Sequence, residues 1–563
     1  MALAPETTPV TAPAPSRRYN RFVSNPVLED YALRYAPRSF RKWSEYAVAT
    51  AALGGIAYLA DFAIGGSIAI SSGFLNAFWA ILAAATIIFL TGIPIAYYCS
   101  KYNVDMDLLT RGAGFGYLGS TITSLVYASF TFIFFALEGS IMAQAFKLYF
   151  GLPLPIGYAL GSLIIIPLVV FGMTLLSRLQ VWTQPVWLIM MFAPFFAVLI
   201  REPSSWSNWF GFAGKSPSGS HFDPLLFGSA CGVALSLIAQ IGEQVDYLRF
   251  MPDKRGKNDA AKSVPWQWWL AVLAAGPGWV VLGAIKQLGG SFFTALAVRH
   301  GVPIGDANEP IQMYVQGFKN IFSSPALYLA AATFFVVLSQ IKINVTNAYS
   351  GSLSWSNFFA RFLHAHPGRV VWLLLNVGIS LTLMELGVFS TLLWVLGFYS
   401  NVAIAWIGAI TADLVINKPL GLSPKYIEFK RAHLYNFNPV GFGSMLVGAI
   451  ISVIAFFGVL GPGPQAFSTF IALGVAFVLT PILAIVTKGK YYLARPDSSS
   501  LVASRDDMAT CQHCGFDYER TDMAYCPFIT APICSLCCSL EATCHDMCKT
   551  VPQVVAVPSA AAI

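Results

Sequence analysis

The sequence predicts an all-α, polytopic membrane protein that carries a small cysteine-rich metal-binding module near its C-terminal end. Three observations carry this. Of 563 residues, 56% are hydrophobic and only 11% charged, against about 25% charged in an ordinary soluble domain. The apolar residues come in long runs rather than short alternating blocks, which suits membrane-crossing helices and argues against a membrane β-barrel. Eight of the 10 cysteines fall in one short stretch, residues 511–548. The net charge of +7, from 34 basic and 27 acidic residues, forms no basic face interleaved with aromatics. It reads as loop charge near an anionic leaflet, and no nucleic-acid partner is expected.

Residues 1–42 read as a cytoplasmic N-terminal tail. The first sixteen, MALAPETTPVTAPAPS, have the composition of a disordered segment. They lack the apolar core of a signal peptide. Arg17, Arg18, Arg21, Arg34, Arg38, Arg41 and Lys42 then form a dense basic flank.

Residues 43–490 hold twelve apolar segments long enough to cross about 30 Å of hydrocarbon. They lie near 46–72, 76–98, 118–147, 154–176, 182–200, 225–245, 266–286, 324–346, 370–387, 390–414, 440–460 and 466–487. An even count puts both chain ends on one side, and loop charge says which. Arg249, Lys254, Arg255, Lys257 and Lys262 follow span six. Arg361 and Arg369 follow span eight, and Lys418, Lys425, Lys430 and Arg431 follow span ten; the gaps after spans one, nine and eleven hold no Lys or Arg. Basic loops face the cytoplasm, so the expectation is an inner (plasma) membrane protein with both termini cytoplasmic.

An ionisable side chain at mid-depth costs about 3 kcal/mol or more, which makes each one a functional candidate. Asp61 lies in the middle of span one, flanked by Gly54–Gly55 and Gly65–Gly66, and an acid at a weakened helix suits an ion or substrate site. Phe134 and Glu138 in span three share a helix face. An aromatic plate beside a carboxylate suits a flat heterocycle with N–H donors. Lys342 in span eight sits among Asn344, Thr346 and Asn347, where it serves as a counter-ion for Asp61 or Glu138, or titrates. Lys286 and Glu385, near the ends of spans seven and nine, read as snorkelling groups. Glu243, Asp246, Tyr247 and Arg249 close span six as a cytoplasmic-end network. No nucleophile elbow, phosphate loop or zinc-protease helix is present, so neither enzymatic activity nor an organic cofactor is expected.

Residues 491–510 read as a Ser/Asp linker, 511–549 as the cysteine module and 550–563 as a disordered tail. Cys511 and Cys514 form one C-x-x-C pair and Cys534 and Cys537 another; Cys526, Cys538, Cys544 and Cys548 complete the set. Disulfides rarely persist in the cytoplasm, whereas C-x-x-C pairs are the halves of tetrahedral zinc sites. One or two zinc ions are expected. With one, the remaining thiols and His513 and His545 stay free; an iron–sulfur cluster is the other metal reading.

Four stretches in order resemble the nucleobase–cation symporter family, in its purine-cytosine permease branch. They are LLTRGAGFGYLGS (108–120), EQVDYLRFMPDK (243–254), NVTNAYSGSLS (344–354) and TADLVINK (411–418). The resemblance implies an inverted five-helix repeat transporter fold plus two further helices. The substrate would lie among spans one, three, six and eight, with Phe134 and Glu138 in place of the family's usual Trp and amide. Asn344 or Asn347 would supply a substrate amide, and Arg111, Asp246 and Arg249 an inner-end network. Lys342 would stand where sodium-coupled members hold their ion, implying coupling to protons, or none, with Asp61 and Lys342 managing the charge. The implied activity is import of a purine, cytosine, hydantoin or allantoin. The cysteine module resembles a connector of permease-linked bacterial sensor proteins. It implies instead a ligand sensor that signals to a cytoplasmic partner such as a histidine kinase.

Overall fold

A computed structural model describes residues 32–253, 266–499, 502 and 507–549. The expected disordered segments 1–16 and 550–563, and most of the basic loop after span six, lie outside the described residues. Helix forms wherever the long apolar runs run. Nine helices among the described residues are long and apolar enough to cross a membrane by length and composition, which makes this a multi-pass membrane protein.

The helices are α1 (Glu45–Gly54), α2 (Ala60–Tyr102), α3 (Ser120–Phe150), α4 (Leu154–Val170), α5 (Gly172–Arg201), α6 (Pro224–Ala234) and α7 (Gln240–Leu248). There follow α8 (Trp266–Ala275), α9 (Trp279–Arg299), α10 (Pro310–Lys319), α11 (Pro325–Leu363), α12 (Arg369–Glu385), α13 (Leu392–Ala412), α14 (Ser444–Phe456) and α15 (Ser468–Val486). At about 1.5 Å per residue, the 43 residues of α2 would reach about twice the hydrocarbon thickness. The helix breaks at Gly73, whose φ is 75°, so one element supplies the end of span one and all of span two. A Cβ there would come within 2.6 Å of the Gly219 carbonyl, so only glycine fits. Each of the twelve predicted segments falls largely on helix.

Spans one and six, five helices apart, are both interrupted in mid-course. Span one stops at Gly54, passes through a 3-10 turn, Gly55–Ala57, and restarts at Ala60. Tyr58 between them is extended. Span six passes through a 3-10 segment, Leu235–Ala239, between α6 and α7. Matching breaks in the first helix of each five-helix set are the mark of the inverted-repeat transporter fold. Around them α3 packs along α11, and α2 packs along α9.

The cysteine-rich module consists of two antiparallel hairpins and one short helix. Strand β1 (Met508–Thr510) pairs with β2 (Asp517–Glu519), and β3 (Met523–Cys526) with β4 (Ala531–Cys534), before α16 (Ser535–Leu540). The first strand thus lies within the segment read as linker, and Arg495 of that segment donates to the Tyr525 carbonyl at 2.6 Å. The module is docked on the membrane domain. Leu33 and Ala360 join Met523, Ile533, Leu536 and Leu540 in one buried apolar cluster.

Candidate functional site

The break in span one leaves peptide groups without helical partners on both sides. After it, the first N–H groups of the restarted helix point at the Glu138 carboxylate, which accepts from Leu59 N at 3.2 Å and Ala60 N at 3.1 Å. A negative group belongs at a helix N-terminus. Before it, the freed carbonyls face an ammonium. Lys286 Nζ donates to the Ile56 carbonyl at 2.6 Å and the Tyr58 carbonyl at 3.0 Å. It pairs with Asp61 Oδ2 at 2.9 Å and lies 3.6 Å from the Tyr58 ring centroid. Gln287 Nε2 donates to Asp61 Oδ1 at 3.0 Å. Asp61, Glu138 and Lys286 are all buried. The break therefore holds two carboxyl groups and one lysine of the protein's own.

This revises two expectations. Lys286 does not snorkel: helix α9 runs on to Arg299, so the predicted end of span seven at 286 is the middle of the helix. Lys342 is not the counter-ion of Asp61 or Glu138. Its ammonium donates to the Gln180 carbonyl at 3.1 Å and Thr183 Oγ1 at 2.9 Å, tying α11 to α5.

Phe134 is buried with its ring centroid 4.5 Å from that of Phe130. Glu138, one turn on, is engaged by span one. From α11, Asn344 Nδ2 donates to the Phe135 carbonyl at 3.4 Å, and Asn347 Nδ2 to Asn344 Oδ1 at 3.1 Å. Asn347 Oδ1 and Glu243 Oε1 have no hydrogen-bond partner among the described residues. A third oxygen of this kind is Gln340 Oε1. Buried polar atoms are nearly always paired, so this cluster between spans three, six and eight is where a polar ligand would be received.

At one end of the membrane domain lies a denser polar network. Asp105 caps the short helix Met106–Thr110 by accepting from Leu108 N at 2.8 Å and pairs with Arg249 at 3.0 Å. Arg249 also donates to Tyr349 Oη at 3.0 Å. Asp246 accepts from Tyr127 Oη at 2.8 Å. Arg111 donates to Asn357 Oδ1 and to the Phe429 carbonyl at 3.3 Å. The three predicted residues of this network are each engaged, and Arg249 lies close enough to Asp246 for the two charges to interact. Sequence reasoning did not find Asp105, whose signal is a capping residue at the start of a short helix.

The module sits on this same end. Arg34 Nε donates to Asp522 Oδ2 at 2.6 Å, Tyr35 Oη to Glu519, and Arg38 N to Glu519 Oε1 at 2.5 Å. Residues 34–38 lead directly into span one. Tyr117 Oη reaches the Ser539 carbonyl at 3.4 Å, and Arg431 pairs with Asp546 at 2.9 Å. Away from the module, a cleft of about 540 Å3 reaches Ser71, Ser72 and Ser229 near the far end of span one.

Within the module the sulfurs of Cys511, Cys514, Cys534 and Cys537 all lie within 4.8 Å of one another. Two C-x-x-C pairs so gathered could hold one tetrahedral metal ion. Cys511 Sγ accepts from Cys534 N at 3.3 Å, and Cys534 Sγ from Cys537 N at 3.4 Å, the sort of support that a ligating sulfur receives. Glu428, His433 and Asp497 also converge. There His433 Nδ1 bonds Glu428 at 2.8 Å and Nε2 bonds Ser498 at 2.8 Å. With both ring nitrogens engaged, this group reads as a structural lock. Burial alone would lift the Glu428 carboxyl, but Lys430 and His433 hold it below its ordinary range.

No family model matches the sequence, and no curated protein matches it. Solved structures do. The chain is similar to Mhp1, a nucleobase-cation-symport-1 family transporter, in a closed conformation with bromovinylhydantoin bound. The TM-score is 0.57 at 16% identity, over 81% of this chain and 98% of that one. The inward-facing conformation of Mhp1 gives 0.53 at 17% identity, over 82% and 97%. A substrate-bound, outward-open Na+-coupled sialic acid symporter gives 0.54 at 14% identity, over 83% and 94%. The fold is therefore that of these transporters.

Proposed function

We propose that this protein is a secondary transporter for a nucleobase or related heterocycle such as a purine, cytosine, hydantoin or allantoin. It works by alternating access and without sodium, a proton being the coupling ion. The observation that carries the coupling claim is the furnished break in span one. The Lys286 ammonium, on the Ile56 and Tyr58 carbonyls beside Asp61, supplies there the charge that a bound cation would bring. Asp61, Glu138 and Glu243 outnumber this one lysine, which leaves a role for a transported proton.

The substrate's flat ring would lie against Phe134, with its edge read by Asn347 and Asn344. Glu138 acts through span one, holding the restarted helix, rather than by direct contact. Lys342 braces α5 against α11, while Arg111, Asp246 and Arg249 fasten the inner end. Both termini would be cytoplasmic, in an inner (plasma) membrane. The module would hold zinc on Cys511, Cys514, Cys534 and Cys537. Uptake into proteoliposomes under separate sodium and proton gradients tests the reading. Uptake driven by a sodium gradient would overturn it.

One observation favours a second reading, a ligand sensor that signals to a cytoplasmic partner such as a histidine kinase. The module grips the segment that leads into span one, through Asp522 and Glu519. Any movement of span one is therefore felt in the module. Saturable binding without flux would select this reading.

A further inference from the structure

Four cysteines remain after the first metal set is accounted for, and the fold brings them together. Cys526 ends β3, Cys538 lies in α16, Cys544 lies in the turn that follows and Cys548 in the 3-10 helix Met547–Lys549. All four line one cavity of about 20 Å3, with His513, Arg431 and Asp546 at its edge. That is room for about one water or one ion. The four are spaced more widely than the first set, but none is in a disulfide. The charged neighbours already have partners. Asp546 is held by Arg431 at 2.9 Å and by Lys549 at 3.1 Å, and the four thiols line the cavity with His513 beside them.

The backbone gives a second and independent sign. His545 and Asp546, between the two last cysteines, have φ of 44° and 58°. Two successive non-glycine residues in the left-handed region are strained. They fold the chain back, and Cys544 and Cys548 line the same cavity as Cys538. A cross-link through the sulfurs would hold that fold.

We propose that Cys526, Cys538, Cys544 and Cys548 bind a second ion of the zinc class, and that this ion pins the module's last turn to β3 and α16, in the position from which that turn contacts the membrane domain. Thiolate donors in a tetrahedral set select zinc over hard cations. The turn it would fix carries the docking contacts. Arg431 donates to the Cys538 carbonyl at 3.0 Å. Lys549 Nζ reaches Asn436 Oδ1 at 2.9 Å, and Asn436 Nδ2 reaches Asp546 Oδ2 at 3.1 Å. The first ion would join the two hairpins; the second would hold the last turn, whose Asp546 and Lys549 reach Arg431 and Asn436.

The test uses the full chain purified in detergent, with metal counted by elemental analysis. Two zinc ions per chain are expected, falling to one in C544S/C548S with the first set intact. One or none in the unaltered chain overturns the proposal. Iodoacetamide labelling read by mass spectrometry decides the matter should the variant fail to fold. In the unaltered chain, chelator should speed labelling of Cys526, Cys538, Cys544 and Cys548 at least about tenfold. Equal rates at these four, with the other four protected until chelator is added, refute the second site. Neither readout depends on uptake, so the proposal and the transport reading stand or fall separately.

Discussion

Replacing Lys286 by Met tests whether the span-one break carries its own cation. The ammonium makes an ion pair of 2.9 Å with Asp61 and two carbonyl contacts of 2.6 and 3.0 Å, all with no exposure to solvent. Removing one partner of a buried pair costs about 3–5 kcal/mol, because the other charge stays buried and alone. Gln287 still donates to Asp61 Oδ1, which places the expected loss near 3 kcal/mol. The double variant D61N/K286M removes both charges and should recover about 2 kcal/mol of that, a coupling of the size that contacting residues show. The single variant leaves a carboxylate and two carbonyls around a cation-sized space, an all-oxygen set that suits a hard cation. Sodium at 100 times its dissociation constant would then restore about 2.7 kcal/mol. The assay is thermal unfolding of purified protein in sodium chloride against choline chloride. Three results would refute the reasoning: a single variant as stable as the parent, a double variant worse than the single, or a parent stabilised by sodium as much as the variant.

The remaining predictions concern the anion, the latch and the metal. Glu138→Gln keeps an acceptor for Ala60 N but loses the charge at the helix start, and should lower stability by about 1–2 kcal/mol; Glu138→Ala, which leaves two buried N–H groups unpaired, should cost more, and thermal midpoints rank the two. Arg34→Ala removes a charged hydrogen bond to Asp522 worth about 2 kcal/mol, roughly a 30-fold shift in the docked-to-free ratio of the module. Faster limited proteolysis between residues 495 and 507 would report it, and an unchanged rate would show that docking rests on the apolar cluster instead. Zinc removal by chelator should abolish protease resistance of residues 507–549 while leaving the membrane helices folded, as followed by circular dichroism.

The membrane architecture was legible because its signal is length and hydrophobicity, and twelve apolar runs left little choice. Site chemistry was harder. Asp61 and Glu138 stood out because a bare acid in an apolar run is costly wherever it points. Their partners did not, since partnership is tertiary. Lys286 was misplaced by a boundary: the apolar run ends near residue 286, but the helix continues through polar Gln287 and the small residues Gly289, Gly290 and Ser291 to Arg299, because Gly289 and Gly290 let Phe62 and Phe195 approach closely. A lysine judged to lie at an interface is thereby in the middle. Lys342 failed the other way. It was rightly read as buried, but a lysine can satisfy itself on a carbonyl and a hydroxyl, and Gln180 and Thr183 do so across 162 and 159 residues of sequence. Of the cysteines, the four in C-x-x-C pairs are gathered within 4.8 Å of one another, because that spacing brings two sulfurs together at a time, whereas Cys526, Cys538, Cys544 and Cys548 come from separate elements and have no such local spacing.

On the proposed transport reading, the placement of charge bears on what can be carried. In an interrupted-helix transporter, half-helix ends are the polar surfaces that receive an anionic group on one side and a cation on the other. Here Glu138 takes the first role and Lys286 the second. A substrate that relied on a carboxylate to find the restarted helix would have to displace Glu138 from two backbone donors, and Lys286 is already committed to Asp61. A substrate that relied on a co-bound sodium would have to displace an ammonium held by two carbonyls and an acid. Neutral, flat, hydrogen-bonding ligands need neither step. They need a ring surface and a polar edge, which Phe134, Asn347 and Gln340 can present without breaking either end of span one. Cationic ligands are favoured further, by the surplus of carboxyls over lysine at this depth. A binding series of isosteric heterocycles differing only in charge would separate these cases: affinity should fall steeply for the anion and hold or rise for the cation, and preference for the anion would show that the break is open to substrate after all.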